Sequence, residues 1–117
     1  MTTTISLNGM RFYAYHGVFD DERKQGAWYV VHVHARVDCP KAMQSDNLEE
    51  TLNYAAMAAV VSREMATPSQ LIEHVGARIF EKLYQAFPVI RNLVVEIHKE
   101  HPPIPIECAS SSFRIEG

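Results

Sequence analysis

Tyr29-Val30-Val31-His32-Val33-His34-Ala35-Arg36-Val37-Asp38 is the stretch from which the fold can be read. Tyr29, Val31, Val33, Ala35 and Val37 are apolar at every second position, and His32, His34, Arg36 and Asp38 alternate with them. Successive side chains of a strand point to opposite sides, so this pattern predicts a strand with one face on a core and one polar face. Upstream, residues 5–15 read as extended, with an interruption at Asn8-Gly9 where a bulge or irregular turn fits. Between the two strands, Gly17 to Gly26 enclose a polar, charged connection.

Downstream, Pro40 ends the strand and a polar stretch runs through Glu50. Asn53 is placed to cap an Ala-rich helix from Tyr54 to about Met65. A second helix is signalled by Thr67 as N-cap, Pro68 as first helical residue and Gln70 as capping-box partner. Its apolar residues Leu71, Ile72, Val75, Ile79, Phe80, Leu83 and Phe87 recur at helical spacing, and Pro88 closes it. Arg91 to Lys99 then alternates again, with Leu93, Val95 and Ile97 on one face and Glu96 and His98 on the other. His101-Pro102-Pro103-Ile104-Pro105 breaks the pattern, and Cys108 to Ile115 supplies a last strand. The order strand-strand-helix-helix-strand-strand predicts an α+β fold: a four-stranded antiparallel sheet with two helices on one face. With no linker or low-complexity stretch, residues 1–117 read as a single domain.

A net charge of −3 supplies no basic field for nucleic acid or an anionic membrane. There is neither a signal-peptide pattern at Met1–Met10 nor a run of about 18 apolar residues, so a cytoplasmic location is expected. Cys39 and Cys108 match no zinc or redox spacing and read as reduced thiols.

Several residues can carry chemistry. Lys99 is in phase with the buried positions of its strand, so its ammonium emerges either simply into solvent or at the rim of a cavity, where it would serve proton transfer. Glu73 falls in the first turns of the second helix, where a carboxylate either complements the helix dipole or pairs with a cyclic amidine or guanidine group. Glu22 sits in the charged loop, and Tyr54 begins the first helix. His32 and His34 share a strand face and, with His16, form a candidate metal set; solvated or structural histidines are the plainer reading, and contact with a substrate is a third.

Four segments together resemble the dihydroneopterin aldolase family. They are Met10-Arg11-Phe12-Tyr13-Ala14-Tyr15-His16-Gly17-Val18 followed by Glu22-Arg23 and Gly26; Asp46-Asn47-Leu48 through Thr51-Leu52-Asn53-Tyr54; Gln70-Leu71-Ile72-Glu73-His74-Val75; and Val95-Glu96-Ile97-His98-Lys99 leading into Pro102-Pro103-Ile104-Pro105. The resemblance implies the tunnelling fold, whose subunit sheets join into a multi-subunit barrel, as a tetramer ring or a homo-octamer with sites between subunits. It implies a metal-free lyase of folate biosynthesis that uses no cofactor and no Schiff base. Its substrate would be a reduced pterin: 7,8-dihydroneopterin is cleaved by retro-aldol to 6-hydroxymethyl-7,8-dihydropterin and glycolaldehyde, with epimerisation at C2′ as a side reaction. By the same resemblance Glu73 pairs with the pterin amino group and ring N–H, and Ile72 adds a backbone contact. Tyr54 comes from the adjacent subunit to pack on the pterin and take part in proton transfer. Glu22 faces the hydroxylated side chain, and Lys99 is the general acid/base. The chain departs from the family pattern at Glu100, where proline commonly follows the lysine, at Ile106–Ser110, which lacks a common glycine, and at His32, which replaces a common aspartate.

Two other classes are compatible with parts of the sequence. One is a zinc enzyme resembling pyruvoyl-tetrahydropterin synthase, motivated by the three histidines. The other is a binding protein that keeps the barrel without turnover, motivated by the altered segment after Lys99.

Overall fold

The alternating stretch forms the second strand of the computed structural model, which describes residues 1–38 and 40–117. This strand, β2 (Ala27–Val37), buries Tyr29, Val31, Val33, Ala35 and Val37 on one face. β1 (Thr4–Ala14) runs antiparallel to it, with Leu7 opposite Val33 but Met10 opposite Val31. The extra residue is a bulge at Asn8-Gly9, where Gly9 takes φ 71° and its N–H donates to His32 Nδ1 at 2.9 Å. β3 (Ile90–Glu100) pairs with the other edge of β2, and β4 (Ser110–Glu116) with β3, giving the antiparallel order β1-β2-β3-β4.

Two long helices cover the apolar face. α3 (Tyr54–Met65) buries Met57, Val61 and Met65, and α4 (Ile72–Ala86) buries Val75, Ile79 and Leu83. Both sets join the strand residues in one core. The Asn53 carboxamide caps α3 as expected, accepting from the N–H groups of Ala55 (3.0 Å) and Ala56 (3.3 Å). The α+β class and the element order therefore match the sequence reading. No helix among the described residues is long and apolar enough to cross a membrane.

The structure corrects the sequence reading in three places. The polar connections contain short helices, here α1 (Asp20–Gln25) and α2 (Pro40–Ser45), and a 3₁₀ turn at Leu48–Glu50. None of the α1 residues is buried, so no apolar period announced it. The last strand begins at Ser110 rather than Cys108, because the His101 N–H donates to the Ala109 carbonyl (3.1 Å) and closes the intervening loop.

The third correction concerns α4, which starts at Ile72, with Leu71 as N-cap, rather than at Pro68. Polar groups of residues 67–69 are engaged elsewhere. The Thr67 carbonyl accepts from Arg78 Nη2 (2.8 Å), the Ser69 N–H donates to His16 Nδ1 (3.0 Å), and the Ser69 carbonyl accepts from the Gly17 N–H (2.9 Å). A helix begun at Pro68 would compete for the same groups. Cys39 lies outside the described residues; Cys108 is a free thiol.

Candidate active site

At the end of β3, Lys99 follows Val95 and Ile97 on the helix-covered face, opposite Tyr29 on β2 and Ser111 on β4. Its ammonium donates to Glu22 Oε2 from 77 residues away. The other Glu22 oxygen accepts from the Phe19 N–H (3.3 Å), so the carboxylate caps its own short helix while holding the lysine. Arg23 steadies the approach to α1 by donating to the carbonyls of Gly17 and Val18, both at 2.8 Å. Gly17 is required here by space: a Cβ would overlap that of Glu22 and lie 3.1 Å from its Oε2. The hydrogen bond from Lys99 draws the Glu22 pKa below its ordinary value, against an opposing effect of burial, and keeps it a carboxylate at neutral pH.

These two groups form one wall of a cavity of about 460 Å³. The lining also includes Gly17, Val18, Gln70, Leu71, Ile72, Glu73, Pro102, Pro103, Ser111, Ser112 and Phe113. Four of the five residues expected at the site, Glu22, Ile72, Glu73 and Lys99, thus meet around one space. Glu73 stands in the first turn of α4, where the helix dipole favours its negative charge. The Phe113 ring forms a wall because Gly76 lets α4 come close; a Cβ there would meet the ring at 2.8 Å. Tyr54 is not in the lining. It begins α3 with 62% of its surface exposed.

The three histidines do not converge. His16 is buried on the helix side, edge-on to Tyr29 at 5.2 Å, whereas His32 and His34 project from the opposite face of β2. His32 accepts from the β1 bulge, and His34 shares a hydrogen bond with Ser6 Oγ (2.7 Å). No group of three or more His, Cys, Asp or Glu placed to hold a metal occurs among the described residues. Burial, aided by Arg78 and Lys99, lowers the His16 pKa to about 4. Burial likewise raises the Tyr29 hydroxyl to about 12, with Glu22 adding to the shift, so Tyr29 stays protonated and donates to the His16 carbonyl (2.9 Å).

Sequence reasoning did not single out Ser111, Phe113 or Gly17. Strand phase held the signal for the first two, since Ser111 and Phe113 alternate with Ile115 toward the helices. No local signal marked Gly17, because its neighbour Glu22 is brought in by α1.

Comparison with known proteins identifies the family and the fold. The family model described as "FolB: Dihydroneopterin aldolase" matches residues 5–116. The dihydroneopterin aldolase of Staphylococcus epidermidis is 41% identical over 106 residues, 90% of this chain and 88% of that protein. The Bacillus subtilis enzyme is 37% identical over 112 residues, 95% and 93% of the two chains. The crystal structure of E. coli dihydroneopterin aldolase in complex with neopterin shares the fold, with TM-score 0.90 at 22% identity over 98% of each chain. With a family model spanning nearly its whole length and relatives near 40% identity, the chain belongs to the dihydroneopterin aldolases, which are carbon–carbon lyases.

Proposed function

We propose that the cavity between α1, the start of α4 and the β3–β4 end is where this lyase cleaves 7,8-dihydroneopterin, and that Glu73, Ile72, Glu22, Lys99 and a neighbouring subunit's Tyr54 divide the work. The convergence of Glu22, Lys99, Ile72 and Glu73 on one cavity carries the reading. Glu73 offers two carboxylate oxygens at a helix start, a match for the paired N–H donors of an aminopyrimidinone edge. The Ile72 backbone lies beside it. Bound there, the pterin directs its C6 side chain toward Glu22 and Lys99.

The reaction needs a place for the electrons of the C1′–C2′ bond. Dihydroneopterin carries that place itself: the N5=C6 imine accepts the pair as N5 gains a proton. The 2′-hydroxyl loses its proton as glycolaldehyde leaves; C1′ then takes a proton while N5 gives its own up, which restores the N5=C6 imine and yields 6-hydroxymethyl-7,8-dihydropterin. Glu22, ionised and facing the side chain, accepts hydrogen bonds from its hydroxyls. Lys99, held by Glu22, moves protons through water, and Tyr54 shares in that transfer. Re-addition of glycolaldehyde to the opposite face before C1′ is reprotonated epimerises C2′. General acid–base groups contribute roughly 10²–10⁴-fold each in typical enzymes, and fixed orientation contributes more. Neither a metal nor a Schiff base has a step to perform in this scheme.

Tyr54 lies outside the cavity of its own subunit, which supports a homo-oligomer, a ring of four or two such rings, with each site completed by a neighbour. The reading carries with it a place in cytoplasmic folate synthesis and no role for nucleic acid or membrane.

The test is incubation with dihydroneopterin, with and without EDTA, following both products by chromatography. Equal release of 6-hydroxymethyl-7,8-dihydropterin and glycolaldehyde regardless of chelator is expected; cleavage that EDTA abolishes would return the histidines to consideration. In the same assay Lys99→Ala should lose turnover while still binding neopterin, and Glu73→Ala should lose binding. Loss of both properties in Lys99→Ala would overturn the division of roles.

A further inference from the structure

The cavity has two halves that come from distant parts of the chain. Glu22 and Lys99 belong to α1 and β3, while Ile72 and Glu73 belong to the start of α4. The catalytic wall leads back through Gly17 to His16, and the pterin-anchoring wall leads back through Gln70 to Ser69. Those two ends meet in a pair of hydrogen bonds: the Ser69 N–H donates to His16 Nδ1 at 3.0 Å, and the Gly17 N–H donates to the Ser69 carbonyl at 2.9 Å. His16 is 1% exposed, and its own carbonyl accepts from the buried Tyr29 hydroxyl at 2.9 Å. On the far side, Arg78 Nη2 donates to Ser69 Oγ (3.0 Å) and to the Thr67 carbonyl (2.8 Å). Each half is thus braced separately, and residues 16, 17 and 69 join them.

We infer that His16 is a positioning residue that sets the pterin anchor in register with the Glu22–Lys99 pair, acting through the Ser69 backbone. The inference rests on the aldolase reading of the cavity. Accepting at Nδ1 requires a neutral imidazole with its proton on Nε2. That N–H is buried, and although the Met65 backbone carbonyl interacts with the ring, it makes no hydrogen bond within ordinary geometric limits among the described residues. A ring is therefore kept at some cost in polar satisfaction where an apolar side chain would fill the space. The acceptor at the δ position is what the ring supplies and an apolar side chain does not. Misplacement of about 1 Å between reacting groups can cost roughly 100-fold in rate, so a slack joint would appear in turnover before it appeared in binding.

The experiment compares wild type with His16→Leu and His16→Asn, well below their melting temperatures. It measures kcat and KM for dihydroneopterin and the Kd of neopterin. Leucine fills the space without an acceptor; asparagine carries an oxygen at the δ position and can accept from Ser69. His16→Leu is expected to lose roughly 10- to 100-fold in kcat with neopterin Kd within about threefold, and His16→Asn to recover most of that loss. Should His16→Leu not fold, His16→Gln takes its place: its amide reaches the ε position rather than δ, so the same loss is expected. Unchanged kcat in the variant lacking the acceptor, or a loss in His16→Asn as large as in that variant, overturns the inference. So does a loss that falls wholly on neopterin binding. Failure of wild type to cleave dihydroneopterin would instead remove the aldolase reading and this role together.

Discussion

Gly17 shows how one missing methyl group shapes the site. Its backbone passes so close to Glu22 that a Cβ would occupy the space of the Glu22 side chain. Gly17→Ala should therefore displace Glu22 from Lys99 and lower kcat by roughly 100-fold with the fold retained. Steady-state kinetics beside a circular dichroism melt checks this, and an unchanged kcat would show that the Glu22 position tolerates movement. His16 yields a prediction of a different kind. Its pKa is about 4 in the folded chain against an ordinary 6.5, so the unfolded chain binds the extra proton between those values. The native state then loses stability as pH falls from about 6.5 to 4, by up to roughly 3 kcal/mol, and loses no more from this group below that. Subtracting the urea-unfolding free energies of His16→Asn from those of wild type across this range should isolate the slope. A flat difference would show that His16 titrates normally. Lys99 and Glu73 were legible as candidates because strand phase and helix position are local properties. Read from its own neighbours Glu22 was one charge among several in a loop, and only the family resemblance singled it out; α1 and Lys99 give it partners in the fold.

At the scale of elements, the sequence was read best where a single side chain ends a regular pattern. Asn53 is such a case: its carboxamide accepts from two N–H groups that open α3. Asn53→Ala should cost about 1 kcal/mol, a fall of about 4 °C in Tm, by calorimetry. No change would mean that water satisfies those donors equally well. The start of α4 was read wrongly for an instructive reason. Thr67, Pro68 and Gln70 form a sound capping signature, but the signature only describes what the segment does when nothing else competes for its polar groups. Arg78, His16 and Gly17 do compete, and they come from another turn of α4 and from the β1–α1 connection. The displaced start shapes the cavity, because it puts Ile72 and Glu73, both in its lining, in the first turn rather than in the second.

The whole molecule is longer than a chain of this size needs to be. Its radius of gyration is 15.7 Å, against about 13 Å for a compact domain of similar length, and its longest extent is 52 Å. β1 and β4 are the edges of the sheet, and an open edge offers a ready template for another strand. An elongated subunit with two open edges suits side-by-side assembly, and the exposed Tyr54 suits a site shared between neighbours. Tyr54→Ala and Lys99→Ala should each be nearly inactive alone. Unfolded together and refolded as a mixture, they should regain activity toward about a quarter of the wild-type level, the share of sites that random mixing in a ring makes whole. Mixtures as inactive as their parents would place both residues in one subunit's site. By itself, the sequence determined the strands, the two long helices, their order and the faces they bury. These follow from side-chain periodicity and capping, which act over a few residues. Only the tertiary structure decided where α4 begins, which loop carboxylate meets Lys99, that His16 joins two walls rather than binding metal with His32 and His34, and that Ser111 and Phe113 line the cavity. Each of those outcomes depends on groups tens of residues apart competing for the same hydrogen bond or the same space, and no local pattern records that competition.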